Sequence, residues 1–397
     1  MTGPIRQAAE AILPDVIQIR RRLHRRPEIG LQLPATQALV AEELLRLQIQ
    51  PRLGATTTSV TAIVEGGKPG PTTLLRADMD ALPLQEDSGL EFASEIDGVM
   101  HACGHDTHVA MLLGAARLLT ERQADLRGRV LLMFQPGEEG LHGARFMLEE
   151  GLLEEGPHGA GGVSRAVALH IGTRYASGVV ALRAGPMLAS ADAIKGAVRG
   201  RGGHASTPHL ALDPIPVAAE LVLALQSMVT RRVDAFDPAV VTITRLAGGT
   251  TNNIIPETVE FEGTIRTVSE AMRASVAGWV RQVAGGVAAT HGATIDLEVV
   301  PGYPVTVNDA EATAWFRKLA VDLVGEKMTN DLAAPIMGAE DFSYVLRRVP
   351  GLMAFVGARP ASEDPFTAPQ NHSNRVVFDE SSMAVGVALY AAAALAD

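Results

Sequence analysis

The chain has 397 residues, more than one typical domain, so we expect two domains and a large buried core. Hydrophobic residues make up 47% of the sequence and charged residues 20%, which is typical of a soluble globular protein. The formal charge of -11 argues against a nucleic-acid partner. No run of about 18 apolar residues and no signal-peptide pattern occurs, so we expect neither a membrane span nor secretion. The single cysteine, Cys103, predicts a cytoplasmic location, because an unpaired thiol suits a reducing compartment.

Helical and strand-like patterns alternate from Ile5 to about Gly185. Apolar residues at helical spacing predict helices over 36–47 and 107–122. Apolar runs of strand length predict strands at 59–65, 72–75, 130–134, 163–170 and 179–183. This alternation predicts an α/β fold with a mixed sheet and helices on both of its faces.

From about Pro186 the pattern changes to that of a smaller α+β domain. The predicted elements are a strand at 193–199, a helix at 214–233, strands at 240–246 and 259–268, a helix at 269–290 and a strand at 294–300. This is the element order of a ferredoxin-like sandwich. After Pro301 the α/β pattern resumes, with helices at 309–324 and 381–395. We therefore predict a ferredoxin-like domain, 186–300, inserted between the two parts of an α/β domain, 1–185 and 301–397.

Cys103 lies in the segment HACGHD, 101–106, where one residue separates it from His105. A lone cysteine can pack as a small hydrophobe, attack a substrate with a histidine as its base, or bind a metal. His101 and His108 also crowd this segment, and Asp106 could orient an imidazole, which favours metal binding. One Cys-x-His pair is insufficient for a metal site, so further ligands must come from elsewhere.

Other apolar runs end in side chains that bind metals or transfer protons. The run at 130–134 leads to Glu138 and Glu139, the run at 166–170 ends on His170, and the run at 72–75 is followed by Asp78. If the two glutamates lie in an extended segment, their side chains point in opposite directions, so that one can bind a metal while the other acts as a general base. Because ligands collect at the carboxyl ends of strands in open α/β sheets, these runs predict one shared site.

Eight features in this order resemble the M20 metallopeptidase family, specifically its amidohydrolase branch. They are RADMDALP (76–83), HACGHD (101–106), PGEEG (136–140), GGHAS (202–206), NIIP (253–256), GTIR (263–266), MGAEDF (337–342) and His372. The branch contains hippurate hydrolases, N-acyl-L-amino-acid amidohydrolases and indole-acetyl-amino-acid hydrolases. The combination of HACGHD with PGEEG is specific to it, and the resemblance covers nearly the whole chain.

The resemblance implies two divalent metal ions per subunit, manganese or zinc, with cobalt or nickel also possible. The ligands that it implies are Cys103, His105, Glu139, His170 and His372, and the thiolate of Cys103 would take the bridging place that other branches give to an aspartate. Glu138 would be the base that deprotonates the attacking water, and Asp78 would hold a ligand in orientation. The sequence differs from the usual family pattern at two positions. Arg76 stands where many relatives carry a histidine ligand, so that His105 supplies the imidazole, and Asn374 stands where relatives usually have proline.

The inserted domain is implied to be a lid that also pairs subunits, giving a homodimer or homotetramer. His204 is implied to reach an active site, often that of a neighbouring subunit, and to stabilise the oxyanion. Asn253 and Arg266 are implied to bind the free carboxylate of the substrate, for which a guanidinium can donate two parallel hydrogen bonds. Gly338 is implied to allow close backbone approach at the pocket wall.

We therefore expect a dinuclear metal amidohydrolase that cleaves the amide bond of a small N-acyl amino acid of the hippurate or N-acetyl type. The products would be a carboxylic acid and a free amino acid. A dipeptidase or carboxypeptidase of the same fold is an alternative. A catalytically inactive relative that binds a small molecule is another, because a fold does not by itself guarantee chemistry.

Overall fold

The computed structural model of the protein describes residues 2–396, so residues 1 and 397 of the predicted domains lie outside the described residues. The chain forms two compact units. The first comprises the described residues up to Met187, Val307–Ala334 and the described residues from Asp341 onward; the second comprises Leu188–Thr306 and Pro335–Glu340. The second unit thus runs beyond residue 300 and includes a later segment that the sequence pattern does not predict. The assignment of the units as a catalytic domain and a lid stays a prediction.

Helices and strands alternate over the first 188 residues. The helices are α1 (Thr2–Arg25), α2 (Pro34–Arg46), α3 (His105–Glu121) and α4 (Gly143–Glu149). The strands are β1 (Pro51–Leu53), β2 (Val60–Glu65), β3 (Lys68–Asp78), β4 (Arg127–Gln135), β5 (Val163–Ala176), β6 (Val180–Leu182) and β7 (Gly185–Leu188). The start of α2 is capped by Glu28, whose carboxylate accepts hydrogen bonds from the N–H groups of Ala35 and Thr36.

The second unit has the predicted ferredoxin-like order. Its elements are β8 (Ala191–Arg199), β9 (Gly203–His204), α5 (Pro214–Arg232), β10 (Ala239–Gly248), β11 (Ile254–Ile255), β12 (Thr258–Thr267), α6 (Glu270–His291) and β13 (Thr294–Tyr303). Four strands form an antiparallel sheet in the order β10-β12-β8-β13. Asp213 and Ser269 cap α5 and α6 with their side-chain oxygens. The βαββαβ prediction is therefore confirmed.

The last part of the chain completes the first unit. Its elements are β14 (Thr306–Asn308), α7 (Ala310–Val324), β15 (Thr329–Asp331), α8 (Ser343–Leu346), β16 (Gly351–Arg359) and α9 (Met383–Leu395). Every residue of α9 is buried, as expected of a helix in the core of a large domain. Among the described residues, no helix combines the length and the apolar character needed to cross a membrane.

The first unit is built on a mixed eight-stranded sheet in the order β1-β2-β4-β3-β5-β16-β6-β15. β3 runs parallel to β4 and β5, and β5 runs parallel to β16, whereas β2 is antiparallel to β4. The inner strands are buried on both faces: all five residues from Val130 to Phe134 have no exposed surface. Helices α1, α2, α3, α7 and α9 join the sheet in one apolar core. The predicted α/β fold with a mixed sheet is confirmed.

This sheet differs from the prediction in the length of β5 and in three strands that were not predicted, β1, β15 and β16. β16 lies between β5 and β6, where no strand was predicted. β5 also continues to Ala176, so His170 lies within the strand and not at its end. The pairing of β5 with β3 ends at the pair Arg76–Ala168, while the pairing with β16 continues past His170. His170 therefore lies two residues beyond the last β3–β5 pair, level with Asp78 at the carboxyl end of β3.

Candidate metal centre

The Cys103 segment comes close to β5 because residue 104 is glycine. Gly104 has a φ of 89° immediately before α3, a left-handed conformation that favours glycine. A β-carbon at this position would lie 2.4 Å from Cγ2 of Ile171. This glycine thus lets Cys103 and His105 lie against the strand that carries His170.

Two histidines of the site are oriented by backbone carbonyls. His105 Nδ1 lies 2.8 Å from the carbonyl oxygen of Asp80, and His170 Nδ1 lies 2.7 Å from that of Ile171. Because a carbonyl oxygen only accepts, each neutral ring carries its proton on Nδ1 and keeps a lone pair on Nε2. The Nε2 atom of His170 lies 3.4 Å from the sulfur of Cys103. Metal-binding histidines are typically held in this way.

The sulfur of Cys103 belongs to two groups of potential metal ligands. Ligand atoms of Cys103, His105 and His170 lie within 4.8 Å of one another, and so do those of Cys103, Glu139 and His372. In the second group, His372 Nε2 is 3.2 Å from Glu139 Oε1. The structure therefore brings all five predicted ligands together, and we refer to them as the ligand cluster.

Glu138 and Glu139 lie in a turn that Asp80 holds. The backbone N–H of Glu138 donates to Oδ1 of Asp80 and that of Glu139 donates to Oδ2, each at 2.9 Å. The expectation of an extended segment is wrong, because Gly137 has a φ of 69° and turns the chain soon after β4 ends. A carboxylate oxygen of Glu138 still lies within 4.8 Å of the ligand atoms of His105 and Glu139.

Asp80 is a residue that the sequence analysis missed. Its carboxylate fixes the turn of the two glutamates, and its carbonyl orients His105. The sequence offers one signal for it, because Asp78 and Asp80 are two positions apart and RADMDALP thus contains a second carboxylate. The family resemblance identifies only Asp78, whereas in the structure both Asp78 and Asp80 contact residues of the site.

Asp78 lies in a buried network next to the ligand cluster. Its Oδ1 accepts a hydrogen bond from Nδ1 of His108 at 2.5 Å, and its Oδ2 accepts one from Arg76 at 2.7 Å. The same Oδ2 lies 3.4 Å from Nε2 of His105. The other nitrogen of His108 accepts a hydrogen bond from the N–H of Ile171, so both of its nitrogens are occupied. His108 therefore supports the site without being available as a ligand.

Arg76 is a buried structural cation. It has no exposed surface, and it donates to Gln135 at 2.9 Å and to Asp341 at 3.2 Å in addition to Asp78. Asp341 in turn accepts a hydrogen bond from the N–H of Ala144, in the first turn of α4. A buried arginine between two carboxylates offsets the cost of burying their charges. Arg76 thus links β3 to α4 through Asp341.

Protons occupy part of the ligand cluster when no metal is bound. Burial raises the pKa of the Cys103 thiol and lowers the pKa of His170 well below its ordinary value. Burial also acts to lower the pKa of His105, but the charges of Asp78 and Cys103 and the hydrogen bonds to Asp80 and Cys103 together outweigh it, so the pKa is raised well above its ordinary value. Hydrogen bonding to the Cys103 sulfur, and then to a neighbouring carboxylate, raises the pKa of His372 to about 10.

The ligand cluster fits a metal centre in its donor types and in its hydrogen bonding. Nε2 of His105 is buried and makes no hydrogen bond among the described residues, and its ion-pair contact with Asp78 is long, at 3.4 Å. A buried polar atom without a partner is costly, and a cation at this place would satisfy it. Thiolate favours zinc, whereas imidazole and carboxylate also accept manganese, cobalt or nickel. The residues therefore fit divalent metal ions.

His204 and Asn253 are close neighbours in the second unit. His204 in β9 pairs with Ile254 in β11, and the carbonyl of Asn253 accepts a hydrogen bond from the N–H of Ala205 at 3.1 Å. His204 is exposed, and its Nδ1 lies 2.7 Å from the hydroxyl of Ser206. Their roles in catalysis and substrate binding stay predictions.

Arg266 and Gly338 also belong to the second unit. Arg266 is half-buried on β12, and burial lowers its pKa. The carbonyl of Gly338 accepts a hydrogen bond from the N–H of Ala189 at 2.8 Å. A β-carbon at Gly338 would meet its nearest atoms at 3.8 Å, an ordinary contact, so nothing in its described surroundings requires glycine there. Their roles in substrate binding stay predictions as well.

A cluster of cysteine, histidine and glutamate side chains beside a second, buried glutamate is the arrangement expected of a metal-dependent hydrolase. Residues 74–396 match peptidase family M20/M25/M40. Thermostable carboxypeptidase 2 from Saccharolobus solfataricus is 40% identical over 384 residues, which are 96% of this chain and 94% of the relative. N-acetylcysteine deacetylase from Bacillus subtilis is 38% identical over 360 residues, 90% of this chain and 91% of the relative.

A solved structure agrees with these matches. The crystal structure of a dinuclear metal-binding peptidase of the M20 family from Bacillus subtilis has a TM-score of 0.81 and 34% identity, covering 97% of this chain and 98% of that one. The chain therefore belongs to peptidase family M20/M25/M40, and it is a hydrolase of the amidohydrolase branch.

Proposed function

We propose that the protein is a metal-dependent amidohydrolase that cleaves N-acyl amino acids of the hippurate or N-acetyl type. The products are a carboxylic acid and a free amino acid. The observation that carries the proposal is the position of the Cys103 sulfur. It belongs to both groups of three potential ligands, here called the ligand trios, and the carboxylate of Glu138 lies beside them. The activity named for the N-acetylcysteine deacetylase supports the substrate class.

The two trios support a division of the ligand cluster between two ions. His105 and His170 would hold one ion and Glu139 and His372 the other, with the thiolate of Cys103 shared. Two divalent ions held there would lower the pKa of a water molecule and polarise the scissile carbonyl. We propose manganese or zinc as the native metal, with cobalt or nickel as functional substitutes.

Glu138 is the proposed proton carrier. It takes a proton from the attacking water and returns it to the nitrogen of the leaving amine. The side chain is only 6% exposed, and its backbone is fixed by Asp80, so the carboxylate is held beside the ligands. Asp78 is the proposed orienting carboxylate, because its Oδ1 accepts a hydrogen bond from Nδ1 of His108. Nε2 of His108 in turn accepts one from the N–H of Ile171, the residue next to His170.

The second unit supplies the proposed substrate contacts. His204 would donate a hydrogen bond to the oxyanion, a contribution of about 3 kcal/mol to the barrier for donors of this kind. Asn253 and Arg266 would bind the carboxylate of the amino-acid part, and Gly338 would lie at the pocket wall. The close pairing of the His204 and Asn253 segments supports a common site for them.

We also propose that the protein is a cytoplasmic homodimer or homotetramer that pairs through the second unit. The order of the four-stranded sheet puts β10 and β13 at its two edges, where a second copy could add strands. The single cysteine supports a reducing compartment. Light scattering of the purified protein tests the assembly, and a monomer would contradict it.

Chelation tests the proposed function. Dialysis against EDTA should abolish the hydrolysis of hippurate and N-acetyl amino acids, and added Mn²⁺ or Zn²⁺ should restore it. Elemental analysis of the untreated protein should find two metal ions per subunit. Full activity in a preparation shown to be free of metal would overturn the proposal.

A carboxypeptidase or dipeptidase activity is a second candidate, favoured by the name of the Saccharolobus relative. N-acetylphenylalanine and glycylphenylalanine share the same leaving amino acid and differ mainly in the free amino group. An amidohydrolase should have the higher kcat/KM for the first substrate. A clear preference for the second would favour the peptidase.

Replacing Cys103 by Asp separates the metal-ligand role from the nucleophile role. A carboxylate can still bind metal, whereas it cannot replace a thiolate nucleophile that works with a histidine base. The Cys103→Asp variant should therefore keep metal and part of the activity. A variant that binds metal fully but has no measurable activity would favour the nucleophile.

A further inference from the structure

One asparagine side chain joins three segments that carry members of the ligand cluster. The Nδ2 group of Asn371 donates to the carbonyl of Cys103 at 2.9 Å and to the carbonyl of Ile171 at 3.0 Å. Cys103 is a proposed ligand, Ile171 follows the proposed ligand His170, and Asn371 precedes His372. A single amide thus reaches the backbone of all three segments.

The backbone next to Asn371 strengthens this connection. The N–H of His372 donates to the carbonyl of Ala102 at 2.9 Å. Two consecutive residues, 371 and 372, therefore bind two consecutive carbonyls, 102 and 103. The oxygen of the Asn371 side chain also accepts a hydrogen bond from the N–H of Thr173 at 3.4 Å. Asn371 uses both its donors and its acceptor within the site.

The His372 segment needs such support because regular structure does not hold it. Residues 370–375 lie in neither a helix nor a strand. His372 has a φ of 70°, which is uncommon for a residue with a side chain and costs free energy unless the surroundings stabilise it. Its side chain is 55% exposed, so packing alone does not fix its position. The bonds of residues 371 and 372 thus join this segment directly to the carbonyls of residues 102 and 103, in addition to the contact of the His372 ring with Glu139.

We propose that Asn371 is a positioning residue of the metal centre. Its amide sets the spacing of Cys103, His170 and His372 and thereby raises the affinity of the ligand cluster for divalent metal. The proposal rests on the proposed function, since it assumes that these three residues bind metal. Asn371 acts through the backbone of the ligands and does not itself contact the ions.

Asn308 provides a matched control for this proposal. Its Nδ2 also donates to two backbone carbonyls, those of Arg183 and Met353, each at 2.9 Å. Asn308 lies in β14 and joins segments that carry none of the proposed ligands. Equivalent substitutions at 371 and 308 therefore remove the same kind of bonding, but only the first affects the ligand segments.

The experiment compares Asn371→Leu and Asn371→Asp with Asn308→Leu and Asn308→Asp. The affinity for Co²⁺ is measured by competition with a chelating dye, and the thiolate-to-Co²⁺ absorption band reports the Cys103 contact. Chemical denaturation of the metal-free proteins gives their stability. Leucine removes every side-chain hydrogen bond, while aspartate keeps the shape and the acceptor for Thr173, so the aspartate variant tests the proposal if the leucine variant does not fold.

We expect the Asn371 variants to bind Co²⁺ roughly 10–100-fold more weakly, the usual effect of losing a group that orients metal ligands, and to shift the absorption band. The Asn308 variants should lose stability but bind Co²⁺ as the wild type does. Wild-type affinity and an unchanged band in the Asn371 variants would overturn the inference alone. A wild-type protein that binds no divalent metal would overturn the proposed function and this inference together.

Discussion

At the scale of single residues, Glu138 has a different proposed task from the ligand cluster: it transfers a proton, whereas the cluster binds metal. Replacing it with glutamine keeps the shape of the side chain but removes its ability to accept a proton. We expect Glu138→Gln to lower kcat by roughly 10²–10⁴-fold, the usual contribution of a general base, with the metal content unchanged. Steady-state kinetics and elemental analysis of the same preparation test this.

The control for this substitution is Glu155→Gln. Glu155 is an exposed glutamate that pairs with Arg129 on the surface, so the variant should keep the wild-type kcat. If Glu138→Gln retained more than about a tenth of the wild-type kcat, a loss far below the usual effect, Glu138 would not be the general base.

Protonation of the ligand cluster predicts how metal affinity changes with pH. Hydrogen bonding raises the pKa of His372 to about 10, and burial raises the pKa of the Cys103 thiol. Both groups must lose a proton before they can bind a metal, so a rise in pH favours binding. From pH 6 to pH 9 the affinity for Mn²⁺ should rise, by up to about tenfold per pH unit for each proton released.

Calorimetry in two buffers of different ionisation enthalpy measures the protons released when Mn²⁺ binds at pH 7. The expected result is a net release. His372→Ala is the comparison, because it should release fewer protons than the wild type. No release, or an affinity that falls between pH 6 and 9, would contradict the assigned protonation.

The proposed ligands are easier to identify from the sequence than the residues that position them. Cys103 and Glu139 are identified by side-chain chemistry that is visible in their motifs. Asp80 and Asn371 instead act on backbone N–H and carbonyl groups, which every residue possesses. Only the fold determines which backbone groups come within their reach.

At the scale of elements, the start of α3 depends on Gly104. Alanine there would meet two penalties, the left-handed backbone and a contact of 2.4 Å with Ile171. Gly98 is the matched control, because it has a φ of 72° but nothing within 4 Å of its β-carbon position. We expect Gly98→Ala to cost about 1–2 kcal/mol of unfolding free energy and Gly104→Ala about 1–3 kcal/mol more.

Urea denaturation of the metal-free proteins measures both costs. Gly104→Ala should also weaken metal binding, since the added methyl group pushes Cys103 away from β5. Equal losses of stability in the two variants would show that the close approach to Ile171 contributes nothing.

β16 is a central strand that the sequence analysis did not predict. All but two of its nine residues are buried, so the alternation that marks a half-buried strand is absent. A short apolar run of this kind fits a buried helix as well as a strand. Its place between β5 and β6 depends on pairing with residues more than 170 positions earlier, such as Phe355 with Ala181 and His170. No local pattern contains that information.

At the scale of the whole molecule, bound metal should stabilise the fold. The five proposed ligands come from four separate segments of the first unit, and an unfolded chain cannot hold them together. Metal at 100 times its dissociation constant should add about 2.7 kcal/mol to the unfolding free energy. Thermal unfolding should therefore occur at a lower temperature in EDTA and recover when Mn²⁺ is added.

The variant Cys103→Ala is the control for this prediction, because it lacks the shared ligand. Its unfolding temperature should change little between EDTA and Mn²⁺. If EDTA left the wild-type unfolding temperature unchanged, the ligands would not be held together by metal in the native state.

The order of elements in the second unit was largely predictable from the sequence. The βαββαβ order and the helical spacing of residues such as Ala218, Val222 and Leu225 are local signals, and the structure has that order. The return of Pro335–Glu340 to the second unit was not accessible, because a short irregular segment carries no periodic pattern.

Because the chain has only one cysteine, an alkylating reagent has one thiol to attack, and that atom belongs to both ligand trios. The rate at which iodoacetamide alkylates Cys103 should therefore report whether metal is bound. Alkylation should be slow in the metal-bound protein and faster after the metal has been removed. Because both ligand trios include this sulfur, alkylation of Cys103 would remove a proposed ligand from both metal positions at once.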